Sequence, residues 1–139
     1  MKNLFEPELA PDALRAISSI GLAHMGDAVY ELLVRTHLIT SGRARGRDLH
    51  RETIRLVRAE AQARAAEQIV PLLTDEELAV YRRGRNAHVH TVPAHATRAQ
   101  YAAATALEAL FGFLYLSGRK ERALALFSRA IEGEETDAD

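Results

Sequence analysis

Apolar and polar positions along this chain follow a helical period. Between residues 20 and 34 the apolar side chains recur every three or four positions, and the same spacing returns in the segment 121–131. No stretch of strand length shows the strict alternation of a half-buried β-strand. The pattern therefore predicts an all-α fold. The predicted helices begin near Asp12, Ser19, Asp48, Ala59, Thr74, Tyr101 and Glu121.

The most apolar of these segments, Tyr101–Gly118, carries one carboxylate, Glu108, in its middle. Its length and composition predict a buried helix. Burying a carboxylate away from water costs roughly several kcal/mol unless a cation, a metal ion or a set of hydrogen-bond donors replaces the water. We therefore expect a neutralising group near Glu108.

The helix predicted over residues 20–39 has the same design. Asp27 lies away from its apolar stripe and directly follows Gly26, while Gly112 lies one turn after Glu108. Glycine inside a helix suggests the close approach of another helix or of a ligand. The two acids could converge on a hard cation such as Mg²⁺. Alternatively, each acid could pair with one of the arginines.

Composition indicates a single domain, because 139 residues suffice for one hydrophobic core. The chain lacks cysteine, so disulfides and thiolate metal sites are excluded. We see no signal peptide at the N-terminus, and the longest uncharged apolar run, 109–117, is too short for a membrane span. We therefore expect a cytoplasmic protein without membrane contact. Residues 1–131 form the predicted domain, and 132–139 form an acidic tail that we expect to be disordered.

Charge is distributed unevenly along the chain although the net charge is −1. Residues 35–98 contain 12 arginines and 7 acidic residues, whereas the last eight residues contain 5 acids. The planar guanidinium group suits phosphate oxygens. The basic middle therefore suggests a nucleic-acid partner, although arginines on ordinary solvated helix faces would give the same composition.

The densest basic segment follows the helix predicted from Thr74. A basic segment at the end of a helix is suited to binding a polyphosphate backbone. His88 and His90 could instead be metal ligands, but no third protein ligand is in view for a zinc site. The candidate RNA-binding residues are Arg82, Arg83, Arg85, Asn86 and His88.

Three ordered motifs now give the chain a resemblance to a known family. They are GLAHMGDAVYELLVR (21–35), RRGRNAHVHTVP (82–93) and ATALEALFGFLYLSG (104–118). Together they resemble the ribonuclease III catalytic domain, in its short stand-alone branch, mini-ribonuclease III. The resemblance implies a helical bundle that forms a homodimer and cleaves double-stranded RNA with Mg²⁺. It further implies maturation of the 23S ribosomal RNA precursor, and a double-stranded RNA-binding domain is not expected after residue 131.

The resemblance also assigns roles to individual residues. Asp27 stands where the family's GDA aspartate binds metal, and Glu108 stands where the glutamate of the DALEAL-type motif does so. Full-length enzymes have a glutamate where Ala23 stands and an aspartate where Thr105 stands, which leaves the number of metal ions open. His88 occupies a position where the resemblance leads us to expect a lysine.

These assignments imply a mechanism, and two alternative functions stay open beside it. Asp27 and Glu108 hold Mg²⁺, which activates a water for attack on the phosphodiester, while Arg82, Arg85 and Asn86 anchor the strand backbone. Two such sites in a dimer would cut both strands, and a ribosomal protein could assist. One rival is a catalytically inactive ribonuclease III-like RNA-binding module. The other is a helical adaptor whose arginines bind an acidic partner.

Overall fold

The computed structural model describes residues 2–44, 46–87 and 96–137. These parts of the chain contain helices and no β-strand, which confirms the all-α prediction. One 3₁₀ turn, Val70–Leu72, follows the fourth helix. The α-helices are α1 (Pro11–Arg15), α2 (Ser19–Ser41), α3 (Asp48–Val57), α4 (Ala59–Ile69), α5 (Asp75–Arg85), α6 (Arg98–Leu116) and α7 (Lys120–Asp137).

Helix α6 is the centre of the bundle. Every residue from 104 to 114 except Glu108 is buried, because α2, α4 and α5 pack along its sides and α7 packs against α4 and α6. The predicted burial of this segment is thus confirmed. Across the described residues, no helix combines the length and apolar character that crossing a membrane requires.

Two glycines let α2 and α6 touch backbone to backbone. A Cβ atom on Gly26 would lie 1.6 Å from the backbone oxygen of Glu108, and one on Gly112 would lie 2.0 Å from the backbone oxygen of Leu22. Neither space can hold a methyl group. The expectation that these glycines mark the close approach of another helix is correct, and the partner of each is the helix that carries the other.

Helix starts follow local capping chemistry. The Ser18 side chain accepts a hydrogen bond from the Gly21 amide at the start of α2, and Thr74 forms the predicted capping box with Glu77. A second capping box, between Thr97 and Gln100, starts α6 at Arg98. The apolar pattern alone predicts a start three residues later, at Tyr101.

The last helix is longer than the sequence pattern predicts. Helix α7 continues through Asp137 and does not end near Ile131. Glu134 is buried there, with its oxygens 2.7 Å from Nε and 3.2 Å from Nη2 of Arg64 on α4. Residues 132–137 are thus helical in the structure, where the sequence pattern predicts a disordered tail. The ion pair between the buried Glu134 and Arg64 extends the packed surface of the helix.

Candidate metal centre and RNA-binding surface

The carboxyl groups of Asp27 and Glu108 meet where α2 crosses α6. Asp27 directly follows Gly26, which lies against the backbone of Glu108. The two side chains are close enough for a hydrogen bond between them, and Glu108 is partly buried while Asp27 is exposed. The structure therefore brings the two acids together at one edge of the helix contact.

Burial raises the pKa of Glu108 to about 8, with a further contribution from the charge of the neighbouring Asp27. Two carboxylates in contact cannot both be ionised at low cost without a cation. The ion pairs found among residues 2–44, 46–87 and 96–134 include neither acid. Pairing with arginines, the alternative interpretation of these acids, is thus not what this part of the structure shows.

A third side chain at this site, Gln62, was not among the sequence candidates. It lies on α4 and is 2% exposed. Its amide lies near the carboxyl group of Glu108 and lowers the pKa of that group, although burial and Asp27 raise this pKa by more. Gln62 belongs to the buried stripe of α4 with Ala65, Ala66 and Ile69. A polar residue in register with an apolar stripe is a signal that could have identified it.

Two positions beside this site, Ala23 and Thr105, are those at which the resemblance to full-length ribonuclease III enzymes leads us to expect acids. Both are buried. Ala23 is 7% exposed on α2, and Thr105 is 7% exposed on α6, one turn before Glu108. Neither supplies a carboxylate. Accordingly, the described residues contain no cluster of three or more acidic, histidine or cysteine side chains that could hold a metal.

The basic end of α5 lies against the middle of α6. Gly84 permits this contact, since a Cβ atom there would be 2.9 Å from the Cβ of Ala109 and 3.0 Å from the Cα of Ala106. The contact places the last turn of α5 against the part of α6 that carries Glu108. The candidates Arg82, Arg83, Arg85 and Asn86 are exposed there. His88 and His90 lie outside the described residues.

An apolar groove of about 310 Å³ opens along the apolar stripe of α2. Helix α2 contributes Met25, Ala28 and Leu32 to its walls, and α7 contributes Leu124. Leu32 is 55% exposed and Leu124 is 53% exposed. Large apolar side chains clustered on a surface mark an interaction site. Leu4 and Phe5 of the N-terminal segment also line the groove.

Comparison with known proteins places these observations in a family. Residues 21–119 match the ribonuclease III domain. A curated mini-ribonuclease 3 from Symbiobacterium thermophilum is 47% identical, over 80% of this chain and 85% of that protein. The mini-ribonuclease 3 of Brevibacillus brevis is 44% identical, over 81% and 87%. A crystal structure of a Fusobacterium nucleatum protein superposes with a TM-score of 0.79 at 30% identity, covering 87% of this chain and 97% of that one.

The fold and the matched domain define an endoribonuclease of the ribonuclease III class, whose members act on double-stranded RNA. Members of this class generally depend on a divalent metal. The chain belongs to the ribonuclease III family, in its mini-ribonuclease 3 branch.

Proposed function

We propose that this protein cleaves double-stranded RNA with Mg²⁺ and matures the 23S ribosomal RNA precursor. The observation that supports the chemistry most directly is the contact between the Asp27 and Glu108 carboxyl groups, with no arginine paired to either among the described residues. Such a pair is unfavourable when both groups are ionised, and a divalent cation between them removes that cost.

The residues present fit one hydrated Mg²⁺ ion. Magnesium prefers oxygen ligands, keeps several waters, and is usually held by one or two carboxylates together with substrate phosphates. Asp27 and Glu108 supply two such carboxylates from two helices in backbone contact. When bound, Mg²⁺ would supply an activated water and charge neutralisation at the scissile phosphate.

The exposed end of α5 supports the proposed RNA contact. Arg82, Arg83, Arg85 and Asn86 present guanidinium and amide donors to solvent near the middle of α6. A-form RNA is recognised mainly through its shape, phosphates and 2′-hydroxyls. A basic helix end is adequate for that purpose, and we include His88, which lies outside the described residues, among the proposed RNA-binding residues.

A second copy of the chain is the occupant that we propose for the apolar groove on α2. The groove is almost wholly apolar, and exposed leucines on α2 and α7 form its rim. A partner seated there would form a C2 dimer, which would bring two sites to one duplex and cut both strands. A ribosomal protein as helper and a cytoplasmic location complete the proposal, and we include α7 through Asp137 in the catalytic domain.

The test of this function is cleavage of long double-stranded RNA by the wild type and by the Asp27→Asn variant. We expect cleavage by the wild type only when Mg²⁺ is added. The variant should retain RNA binding and the thermal unfolding midpoint but lose cleavage. Turnover by Asp27→Asn equal to that of the wild type would remove Asp27 from the site. Incubation with a 23S precursor transcript then tests the substrate.

The alternative, an inactive RNA-binding module, is favoured by one observation. Ala23 and Thr105 replace two acids of the longer enzymes, so half of that acidic set is missing. Under this alternative the wild type would bind double-stranded RNA but release no product at any Mg²⁺ concentration. The same assay therefore distinguishes the two functions.

A further inference from the structure

Gln62 is a buried polar side chain whose position the packing of α4 alone does not require. It is 2% exposed within a stripe formed by Ala61, Ala65, Ala66 and Ile69, which are all at most 2% exposed. Burying an amide without a hydrogen-bond partner costs about 1–3 kcal/mol. An apolar residue would fill this stripe without that cost, so the amide must be explained by its partner.

The partner of Gln62 is the Glu108 carboxyl group on α6. The amide NH₂ of glutamine is a donor, and a carboxylate is an acceptor. Helix α4 packs against α6, so the site receives side chains from three helices: Asp27 from α2, Glu108 from α6 and Gln62 from α4. Only the first two are ionisable.

We propose that Gln62 is a positioning residue that holds the Glu108 carboxylate in the orientation in which it binds a divalent ion together with Asp27. This inference rests on the proposed metal-dependent function. Outer-shell partners of metal-binding carboxylates fix ligand orientation in this way. With only two protein carboxylates to hold the ion, the orientation of each has a large effect on affinity.

The chemical nature of the amide suits this role. An arginine at position 62 would form an ion pair with Glu108 and compete with the metal ion. A third carboxylate would add to the repulsion between Asp27 and Glu108 in the metal-free protein. A neutral donor avoids both effects because it orients the carboxylate and leaves its negative charge available to the ion.

The experiment compares Gln62→Met with a matched control, Gln68→Met, in the full chain. Methionine is close to glutamine in size but donates no hydrogen bond, and Gln68 is an exposed residue of the same helix. Four quantities are measured: Mg²⁺ or Mn²⁺ binding by calorimetry without RNA, RNA binding without divalent ions, the thermal unfolding midpoint of the metal-free protein, and the Mg²⁺ concentration for half-maximal RNA cleavage.

We expect Gln62→Met to bind the metal ion about 10–100-fold more weakly than the wild type. RNA affinity and the unfolding midpoint should be retained, and the Mg²⁺ concentration for half-maximal cleavage should rise by a similar factor. Gln68→Met should match the wild type. A Gln62→Met variant with wild-type metal affinity would overturn the inference, as would a loss of affinity in proportion to a loss of folded protein.

A second variant covers the case in which Gln62→Met does not fold. Gln62→Asn retains the amide but shortens its reach, so it should also weaken metal binding; unchanged affinity would contradict the role. The two proposals fail differently. A wild type that neither binds Mg²⁺ nor cleaves RNA would overturn the proposed function and this inference together, whereas an active wild type with an equally active Gln62→Met variant would overturn only the role of Gln62.

Discussion

The contact between two carboxyl groups predicts an unusual dependence of stability on pH in the metal-free protein. The pKa of Glu108 is about 8 in the folded protein and 4.5 at its ordinary value, because burial and then the charge of Asp27 disfavour the ionised form. The folded state therefore holds a proton on Glu108 in the pH range where the unfolded chain has released it. Stability falls as pH rises through this range.

The size of the effect follows from the two pKa values. At about 1.4 kcal/mol per pKa unit, release of the Glu108 proton in the unfolded chain should reduce the free energy of unfolding by roughly 3 kcal/mol between about pH 5 and pH 8. For a domain of this size, such a change lowers the unfolding midpoint by roughly 10 °C. The Glu108→Gln variant carries a neutral side chain at every pH and should not show this loss.

The assay is thermal or urea unfolding of both proteins with a chelator present, at several pH values across that range. The two proteins should be similar in stability at the acidic end, and the variant should be the more stable at the basic end. An excess of Mg²⁺ should restore the stability of the wild type at the basic end and leave the variant unchanged. Glu121→Gln, at an exposed position on α7, is the control that should follow the wild type.

The result that would refute this reasoning is a stability difference between wild type and Glu108→Gln that is the same at every pH. Glu108 would then ionise as it does in water. The carboxyl groups of Asp27 and Glu108 would not share an electrostatic environment, and their contact could no longer support a metal site.

Four further predictions test other parts of the structure. Gly26→Ala should lower the free energy of unfolding by roughly 3 kcal/mol in urea titrations, since the added Cβ would overlap α6. Gly133→Ala is the control: its Cβ would meet no atom closer than 4.0 Å, so it should raise the free energy of unfolding by about 0.5–1 kcal/mol. Glu77 is 3% exposed, and hydrogen bonds from an α7 arginine lower its pKa. Glu77→Gln should therefore lower the free energy of unfolding by about 2 kcal/mol at neutral pH. The difference in stability between variant and wild type should narrow as pH falls below about 4; a difference that stays constant would contradict the ion pair of Glu77. Arg85→Ala should weaken RNA binding more at low salt than at high salt and reduce the salt slope by about 1, whereas a salt-independent loss would indicate a folding role. Leu32→Glu should shift the sedimentation of the protein from dimer to monomer, and an unchanged dimer would place the interface elsewhere.

Much of the fold could be predicted because local chemistry decides it. The apolar period gave the helices, and the Thr74–Glu77 pair gave the exact residue at which α5 is capped. Glycine next to an acid in two apolar helices predicted their close approach, since few other arrangements require two mid-helix glycines. The pairing of Asp27 with Glu108 was an expectation from those positions and from the family resemblance, and the structure brings the two side chains together.

The features that were missed depend on contacts between distant parts of the chain. Gln62 could not be assigned to Glu108 before the packing of α4 on α6 was known, although its place in an alanine stripe was visible. The extension of α7 depends on Arg64, which is 70 residues away from Glu134. A run of acids without apolar residues is typical of disorder, and the sequence pattern does not show the contact that one of these acids makes with an arginine on another helix.

The glycine contact between α2 and α6 has a consequence for how this enzyme tolerates mutation. The backbones of α2 and α6 are in direct contact at that crossing. The spacing of the two acids is therefore set by backbone atoms, whose size does not change when side chains elsewhere are replaced. Substitutions in the remote core, for example at Leu126 or Ile69, should cost folded protein while each surviving molecule keeps its catalytic rate. The sequence and thermal stability of the domain can accordingly change widely while the geometry of the two acids stays the same.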